Sequence, residues 1–211
     1  MYTMINNGGP VMWLLLAASI FSVIVFLQKL LQFHRAQINS RDFLDGIYNV
    51  LKRGNTVEAV TICEDTPGPV AQIARAAILR FEDKPEEITL AIRQAGLLEI
   101  PRIEHNLIAL ATIGKIAPLL GLLGTVMGMM ATLAALHAAG PLAHAGDLSG
   151  GLWQALLSTA VGLGVAIPVY VGYNFLVSRA ESLVLDMEQA SADIFSYLME
   201  IKRARAAQES E

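Results

Sequence analysis

Charged residues are scarce in this 211-residue sequence, and they are unevenly distributed. They make up 16% of the chain, whereas a soluble globular domain carries about 25%. The stretches 1–28, 116–146 and 148–178 contain no Asp, Glu, Lys or Arg at all. Each stretch is long enough for a helix that crosses a bilayer, which requires about 20 residues. The composition therefore excludes an ordinary soluble domain and predicts an integral membrane protein.

Cysteine and enzyme motifs are almost equally rare. The single cysteine, Cys63, excludes an intrachain disulfide. The formal net charge is −4 without a basic patch, so nucleic acid is not an expected partner. Gly114-Lys115 lacks the preceding glycine of a phosphate-binding loop, and neither a metal-ligand cluster nor a catalytic nucleophile motif is visible. We therefore expect no enzymatic activity, no cofactor and no bound metal.

Three apolar runs predict three transmembrane helices, at 10–33, 113–138 and 152–177. A signal peptide carries basic residues before its apolar part. In the first run the basic residues follow the apolar part, so we do not expect it to be a signal peptide. Positive charge stays on the cytoplasmic side, and all 15 Lys and Arg residues fall on segments that this rule places inside or at the inner ends of the membrane helices. We therefore expect a multi-pass protein of the bacterial inner membrane with the N-terminus in the periplasm and the C-terminus in the cytoplasm.

The segments between these helices complete the predicted organisation. Residues 1–9 are expected to be a periplasmic tail and 139–151 a periplasmic loop. Residues 34–112 are too long for a plain loop and are expected to form a cytoplasmic helical segment, and 178–211 a cytoplasmic C-terminal helix. The predicted fold class is all-α, a polytopic membrane protein whose long helices extend into a cytoplasmic helical bundle.

Helical periodicity is clear in the predicted cytoplasmic parts. The last helix of the segment 34–112 is expected to begin at Pro85 and to continue through Pro101 into the second transmembrane helix. In the C-terminal helix, one apolar face is expected to pack against the bundle or a neighbouring subunit: Leu183, Met187, Ala190, Ile194, Leu198 and Ile201. Three shorter helices are predicted before Pro85, at Asp42–Lys52, Thr56–Cys63 and Val70–Phe81.

The second and third transmembrane helices each carry a stripe of small and polar residues. The residues of each stripe are spaced at i, i+4, i+7 and i+11, which is one face of a helix. They are Gly121, Thr125, Gly128 and Thr132 in the second helix, and Ala155, Thr159, Gly162 and Ala166 in the third. Such stripes indicate either close helix packing, for which Gly121, Gly124, Gly128 and Gly162 are suited, or a polar path.

The three predicted helices hold no ionisable group at mid-membrane depth. Their polar side chains there, which could line a path for an ion, are Thr125, Thr132, Thr159, Ser158 and Gln154. Hydroxyl and amide groups do not titrate near neutral pH. If the protein belongs to an ion-driven machine, its titrating carboxylate must come from another chain. Lys115 is expected at the inner mouth, where its stem can extend to the membrane surface.

Two segments resemble a known family. They are IPRIEHNLIALATIGKIAPLLGLLGTVMGMM (100–130) and QALLSTAVGLGVAIPVYVGYN (154–174), which are similar to the ExbB/TolQ/MotA family of proton-channel proteins. The likeness is closest to the ExbB/TolQ branch, because MotA-type stators have four membrane-spanning helices. It implies an inner-membrane homopentamer around a dimer of a single-span ExbD/TolR-like protein that carries the proton-binding Asp. Proton flow would then perform work on an envelope-spanning protein of the TonB type.

The resemblance also implies roles for individual residues. Thr125 and Thr159 correspond to pore-facing threonines of the family. Gln154 stands where well-known members have Glu, and Lys115 stands where a small or apolar residue is expected. An alternative function is a self-contained membrane scaffold or a small ion channel without coupled rotation. The sequence specifies neither the transport system that is driven nor whether the ion is H⁺ or Na⁺.

Overall fold

The structure, a computed structural model, describes residues 9–36, 40–140 and 145–209. Within these ranges the chain forms α-helices and no strand. The helices are α1 (Gly9–Ala36), α2 (Ser40–Lys52), α3 (Thr56–Asp65), α4 (Pro69–Leu79), α5 (Pro85–Glu104), α6 (Leu107–Ala139) and α7 (Ala145–Glu209).

Three helical stretches of the described chain are long and apolar enough to cross a membrane: Pro10–Ala36, Pro85–Ala138 and Ser149–Ala207. The predicted all-α membrane protein with three membrane-spanning helices is thereby confirmed. The stretches extend beyond the predicted membrane segments, because more polar helical residues adjoin each apolar part. The second stretch comprises two helices, α5 and α6. Of the predicted connecting segments, residues 1–8 of the tail and 141–144 of the loop lie outside the described residues. Residues 145–151 of the predicted loop 139–151 are already helical and belong to α7.

The chain divides into two compact units. The first, here called the apolar unit, consists of Met1–Lys29 and Asn106–Leu176. The second, here called the helical bundle, consists of Leu30–His105 and Val177–Glu211. Each unit is described separately below.

In the apolar unit, α6 and α7 pack against each other in opposite directions. Gly114 near the start of α6 lies against Tyr170, whereas Gly128 two-thirds of the way along α6 lies against Ala155. Helix α1 joins them through a small cluster of buried apolar side chains, Val11, Leu15, Ala117 and Ala166. Large apolar side chains on the outer surfaces of all three helices remain exposed, as expected for helices that face lipid.

The helical bundle is organised around the C-terminal half of α7. The predicted apolar face of that half is buried, with Leu198 and Ile194 completely inaccessible to solvent. Helix α2 contributes Leu44, Ile47 and Leu51 to the interior, and nearly every apolar residue of α4 is buried. The sequence left two partners open for this face, the bundle or a neighbouring subunit, and its residues are buried within the chain itself. Helix α7 remains helical as far as Glu209.

The predicted continuous helix from Pro85 into the second membrane segment is wrong at one point. Helix α5 passes through Pro101 but ends at Glu104, and Asn106 takes a left-handed conformation with φ of 71° before α6 begins. Pro101 has no N–H to bond the preceding turn. Asparagine is one of the few residues that tolerate this conformation. The interruption coincides with the boundary between the two units.

Candidate functional site

The four predicted packing glycines lie in the contact between α6 and α7. A Cβ atom on Gly121 would lie 3.0 Å from the Ser158 carbonyl oxygen, and one on Gly162 would lie 2.8 Å from the Ala117 carbonyl oxygen. A Cβ atom on Gly128 would approach the backbone of Gly151 to 2.8 Å. The backbones of the two helices therefore touch, which only glycine permits at these positions.

Ser158 belongs to this packed contact. Its side chain is completely buried, and a Cβ atom on Gly124 would lie only 2.5 Å from the Ser158 hydroxyl. The hydroxyl donates to the Ala155 carbonyl at 2.8 Å and lies 3.4 Å from the Gly121 carbonyl. The structure thus places Ser158 between the helices, whereas the sequence predicted a place in a polar lining.

Thr125 and Thr159 both lie near Gly121, on the partly exposed edge of the contact between α6 and α7. The Thr159 hydroxyl donates to the Gly121 carbonyl at 3.3 Å, which ties α7 to α6. Thr125 lies one turn further along α6, and its hydroxyl donates to the Leu122 carbonyl of its own helix. Both side chains are partly exposed. The structure therefore brings these two predicted residues to one region of the surface.

The hydroxyl protons of these threonines are already donated in hydrogen bonds to backbone carbonyls. A carbonyl oxygen carries no proton, so each threonine must be the donor in its bond. Thr132 follows the same pattern and donates to the Gly128 carbonyl at 2.9 Å. What these hydroxyls still offer outward is lone pairs, which suit a protonated acid, a water molecule or a cation.

The two remaining predicted residues lie apart from the threonines. Gln154 is partly exposed and precedes Thr159 by five residues, a rotation of about 140° around α7, so the two side chains do not share a face. Lys115 is exposed on α6, and no ion pair to it is found among the described residues. Its neighbour Gly114 packs against Tyr170 and Val169.

The sequence did not predict a cavity of about 280 Å³ between α1, α6 and α7 in the apolar unit. Its lining is almost entirely apolar and includes Phe26, Gly164, Pro168 and Gly172. Ser22 at its edge is buried and donates to the Ala18 carbonyl at 2.7 Å. The signal that could have indicated the cavity is the pair of glycines around Pro168, which leave space beside α1.

These features define a class of protein: a helical membrane protein whose closely packed helices expose a strip of hydroxyl groups. Residues 65–189 match the model of the MotA/TolQ/ExbB proton channel family. The match covers more than half of the chain and includes both threonines. The chain therefore belongs to the MotA/TolQ/ExbB proton channel family.

Individual relatives agree with this assignment. The chain is 26% identical over 215 residues to the biopolymer transport protein ExbB of Neisseria meningitidis, covering 93% of this chain and 96% of the relative. It is 30% identical to the Tol-Pal system protein TolQ of Pseudomonas aeruginosa, with coverage of 87% and 86%. An ExbB homolog of Methanothermobacter thermautotrophicus is 26% identical, but the chain spans only 66% of that relative's length.

Proposed function

We propose that this protein is a stator-ring subunit of a motor complex driven by the proton motive force. In this complex, copies of the chain form an oligomeric ring, a pentamer by analogy with the family. The ring surrounds a dimer of a single-span ExbD/TolR-like protein. Family membership supports the proton-channel part of the proposal. The names of the relatives, biopolymer transport protein and Tol-Pal system protein, support a role in transport or in an envelope system. Work on an envelope protein of the TonB type is what the family resemblance implies.

The observation that carries the proposal is the lack of acid in the apolar unit. Its sequence contains a single carboxylate, Asp147, which precedes the third apolar run. Thr125 and Thr159 present hydroxyl lone pairs on the surface but cannot take up and release a proton. A proton channel built on this unit needs a carboxylate from a guest helix, and the partly exposed threonines are where that guest would lie.

The proposed orientation places the N-terminus in the periplasm and the helical bundle in the cytoplasm. It rests on the distribution of Lys and Arg, which the positive-inside rule assigns to the cytoplasm. A Cys63→Ser, Asp147→Cys variant tests it with a membrane-impermeant thiol reagent. Labelling of intact spheroplasts is expected. Labelling only after the membranes are broken would reverse the topology.

The central experiment is purification of the protein from its native membranes. We expect it to co-purify with a small single-span protein that carries one Asp in its membrane helix. In the reconstituted complex, Thr159→Val is expected to reduce proton flux at least tenfold while the ring still assembles, because valine keeps the shape and removes the hydroxyl. Thr159→Ser is the matched control and should retain flux. Purification as a monomer with full activity would contradict the proposal.

The alternative function is a self-contained membrane scaffold or a small ion channel without coupled rotation. The close backbone contact between α6 and α7 favours it, because that contact accounts for the glycine stripe by packing alone. Liposomes that contain this chain without any partner distinguish the two functions. Proton uptake by such liposomes would support the channel, whereas uptake only in the presence of the single-span partner supports the motor.

A further inference from the structure

Lys115 is a cation on an apolar surface. It lies on the part of α6 that is exposed, between large exposed side chains such as Ile116 and Leu119. A hydrocarbon-covered surface tolerates a charge only where the charge has an opposite partner or reaches water. The apolar unit supplies no such partner, because its only carboxylate is Asp147, which follows the C-terminal end of α6 in the sequence, 32 residues after Lys115.

The neighbouring helices do not compensate for this charge either. The titratable side chains of α7 at this end of the unit are Tyr170 and Tyr173, and α1 contributes Lys29. None of these side chains is a carboxylate, so this end of the unit has no acidic side chain beside Lys115. In the orientation proposed above, this is the cytoplasmic end.

Lys115 and Thr125 are related by the geometry of one helix. Ten residues separate them, which corresponds to about 15 Å along the axis and about 80° of rotation. Neither residue is buried by α1 or α7, since Lys115 is exposed and Thr125 is partly exposed. A guest helix that lies against Thr125 would therefore have the Lys115 charge near its inner end.

Building on the proposed function, we propose that Lys115 sets the release side and the ion selectivity of the path. Its ammonium favours the ionised form of the guest carboxyl and repels metal cations at the inner end. We place the guest carboxyl at the level of Thr125, about 15 Å from Lys115 along the helix axis. At an effective dielectric constant near 20, the Lys115 charge then lowers the pH at which this carboxyl loses its proton by about 0.8. The same charge reduces the local concentration of Na⁺ by about sixfold.

The experiment uses the complex with its co-purifying single-span chain, reconstituted in liposomes. Lys115→Met removes the charge and keeps an unbranched apolar stem, and Lys115→Gln is a second neutral variant. Lys115→Arg is the matched control that retains the charge. For both neutral variants we expect the midpoint of proton flux against inner pH to rise by about 0.8, and inhibition by Na⁺ to begin at about sixfold lower concentration. Lys115→Arg should behave as wild type.

Two results would overturn the inference. The first is an unchanged pH midpoint and Na⁺ response in both neutral variants, which would leave Lys115 as a lipid anchor. The second is an effect seen only in liposomes that contain phosphatidylglycerol and absent in purely zwitterionic ones, which would assign the ammonium to lipid phosphate. Absence of proton flux in the wild-type complex would instead contradict the proposed function, so the two failures are distinguishable.

Discussion

Gly121 and Gly162 meet backbone to backbone at the centre of the α6–α7 contact. A Cβ atom on Gly162 would lie 2.9 Å from the Gly121 Cα, and one on Gly121 would lie 3.3 Å from the Gly162 Cα. Real Cβ atoms do not approach backbone atoms as closely as 2.9 Å, so the helices would have to move apart to accept a side chain. This contact sets the position of the Thr159 hydroxyl, which bonds the Gly121 carbonyl.

We predict that Gly162→Ala destabilises the apolar unit. Overpacking costs about 1–3 kcal/mol, and alanine returns up to about 1 kcal/mol through its higher helix propensity. Gly164→Ala, two residues away, is the matched control, because a Cβ atom there meets nothing within 4 Å. Denaturant unfolding in detergent should show a lowered midpoint for Gly162→Ala and an unchanged or raised one for Gly164→Ala. Equal midpoints would mean that the helices are not in backbone contact.

The two threonines should differ in their effect on stability although both face the proposed path. Thr125 bonds a carbonyl of its own helix, whereas Thr159 bonds across to α6. We expect Thr159→Val to lower the free energy of unfolding by about 0.5–1.5 kcal/mol, the net value of a hydrogen bond, and Thr125→Val to leave it nearly unchanged. Both should lower proton flux in the reconstituted complex. Loss of flux in proportion to stability would instead indicate a purely structural role.

The sequence predicts most of the fold because hydrophobic patterning dominates helical membrane proteins. The apolar face of α7 around Ile194 could be recognised from its helical spacing alone. The structure buries that face within the chain's own bundle. The break at Asn106 could not, because a left-handed residue inside a helical pattern depends on tertiary contacts rather than on local propensity. A proline five residues earlier is compatible with a continuous helix as well as with a broken one.

The candidate site is only partly readable from sequence for a related reason. Spacing places Gly121, Thr125 and Thr159 in the two stripes and Ser158 beside one of them, but it does not separate a packed residue from one that lines a path. That distinction depends on the separation of the helices. Here α6 and α7 approach so closely that Ser158 is enclosed while Thr159, one residue later, stays at the edge.

In the helical bundle, two tyrosines hold α2 and α7 together through a reciprocal pair of bonds. Tyr48 donates to Glu200 at 2.8 Å, Tyr197 donates to Asp45 at 3.0 Å, and the ring centroids are 4.8 Å apart. The hydrogen bond to a carboxylate is the main cause that raises the pKa of each phenol, because it requires the protonated form. This pair therefore depends on pH.

We predict that the bundle loses stability at alkaline pH through these phenols. Their folded pKa values lie above the ordinary value of about 10. The contribution of the two phenols to the free energy of unfolding is therefore complete below about pH 10 and is lost as pH rises through the folded pKa values. Ultraviolet titration of the full chain in detergent should show two late-ionising tyrosines. In Tyr48→Phe, the remaining Tyr197 should ionise at a slightly lower pH, because its pKa is also raised by Tyr48. Ionisation of all five tyrosines at the ordinary pH would contradict the reciprocal pair.

The thiol of Cys63 should be almost inert in the folded protein. It is completely buried in α3, and this burial raises its pKa to about 12, against a smaller lowering effect of Arg75. The thiolate is the reactive form, so at pH 8 we expect labelling to be slower than that of an ordinary thiol by a factor of about 1,000 or more. The raised pKa also means that the thiol's contribution to the free energy of unfolding is complete below about pH 9 and falls as pH approaches 12.

A thiol reagent with and without denaturant measures this directly in the full chain. The Cys63→Ser, Ser182→Cys variant is the control, because Ser182 lies on the exposed side of α7 and should react at the rate of a free thiol. Unfolding should bring the two proteins to the same rate, since burial alone suppresses Cys63. If native Cys63 reacted as fast as the cysteine at position 182, α3 would have to leave the bundle frequently. The burial of Cys63 would then hold for only part of the population.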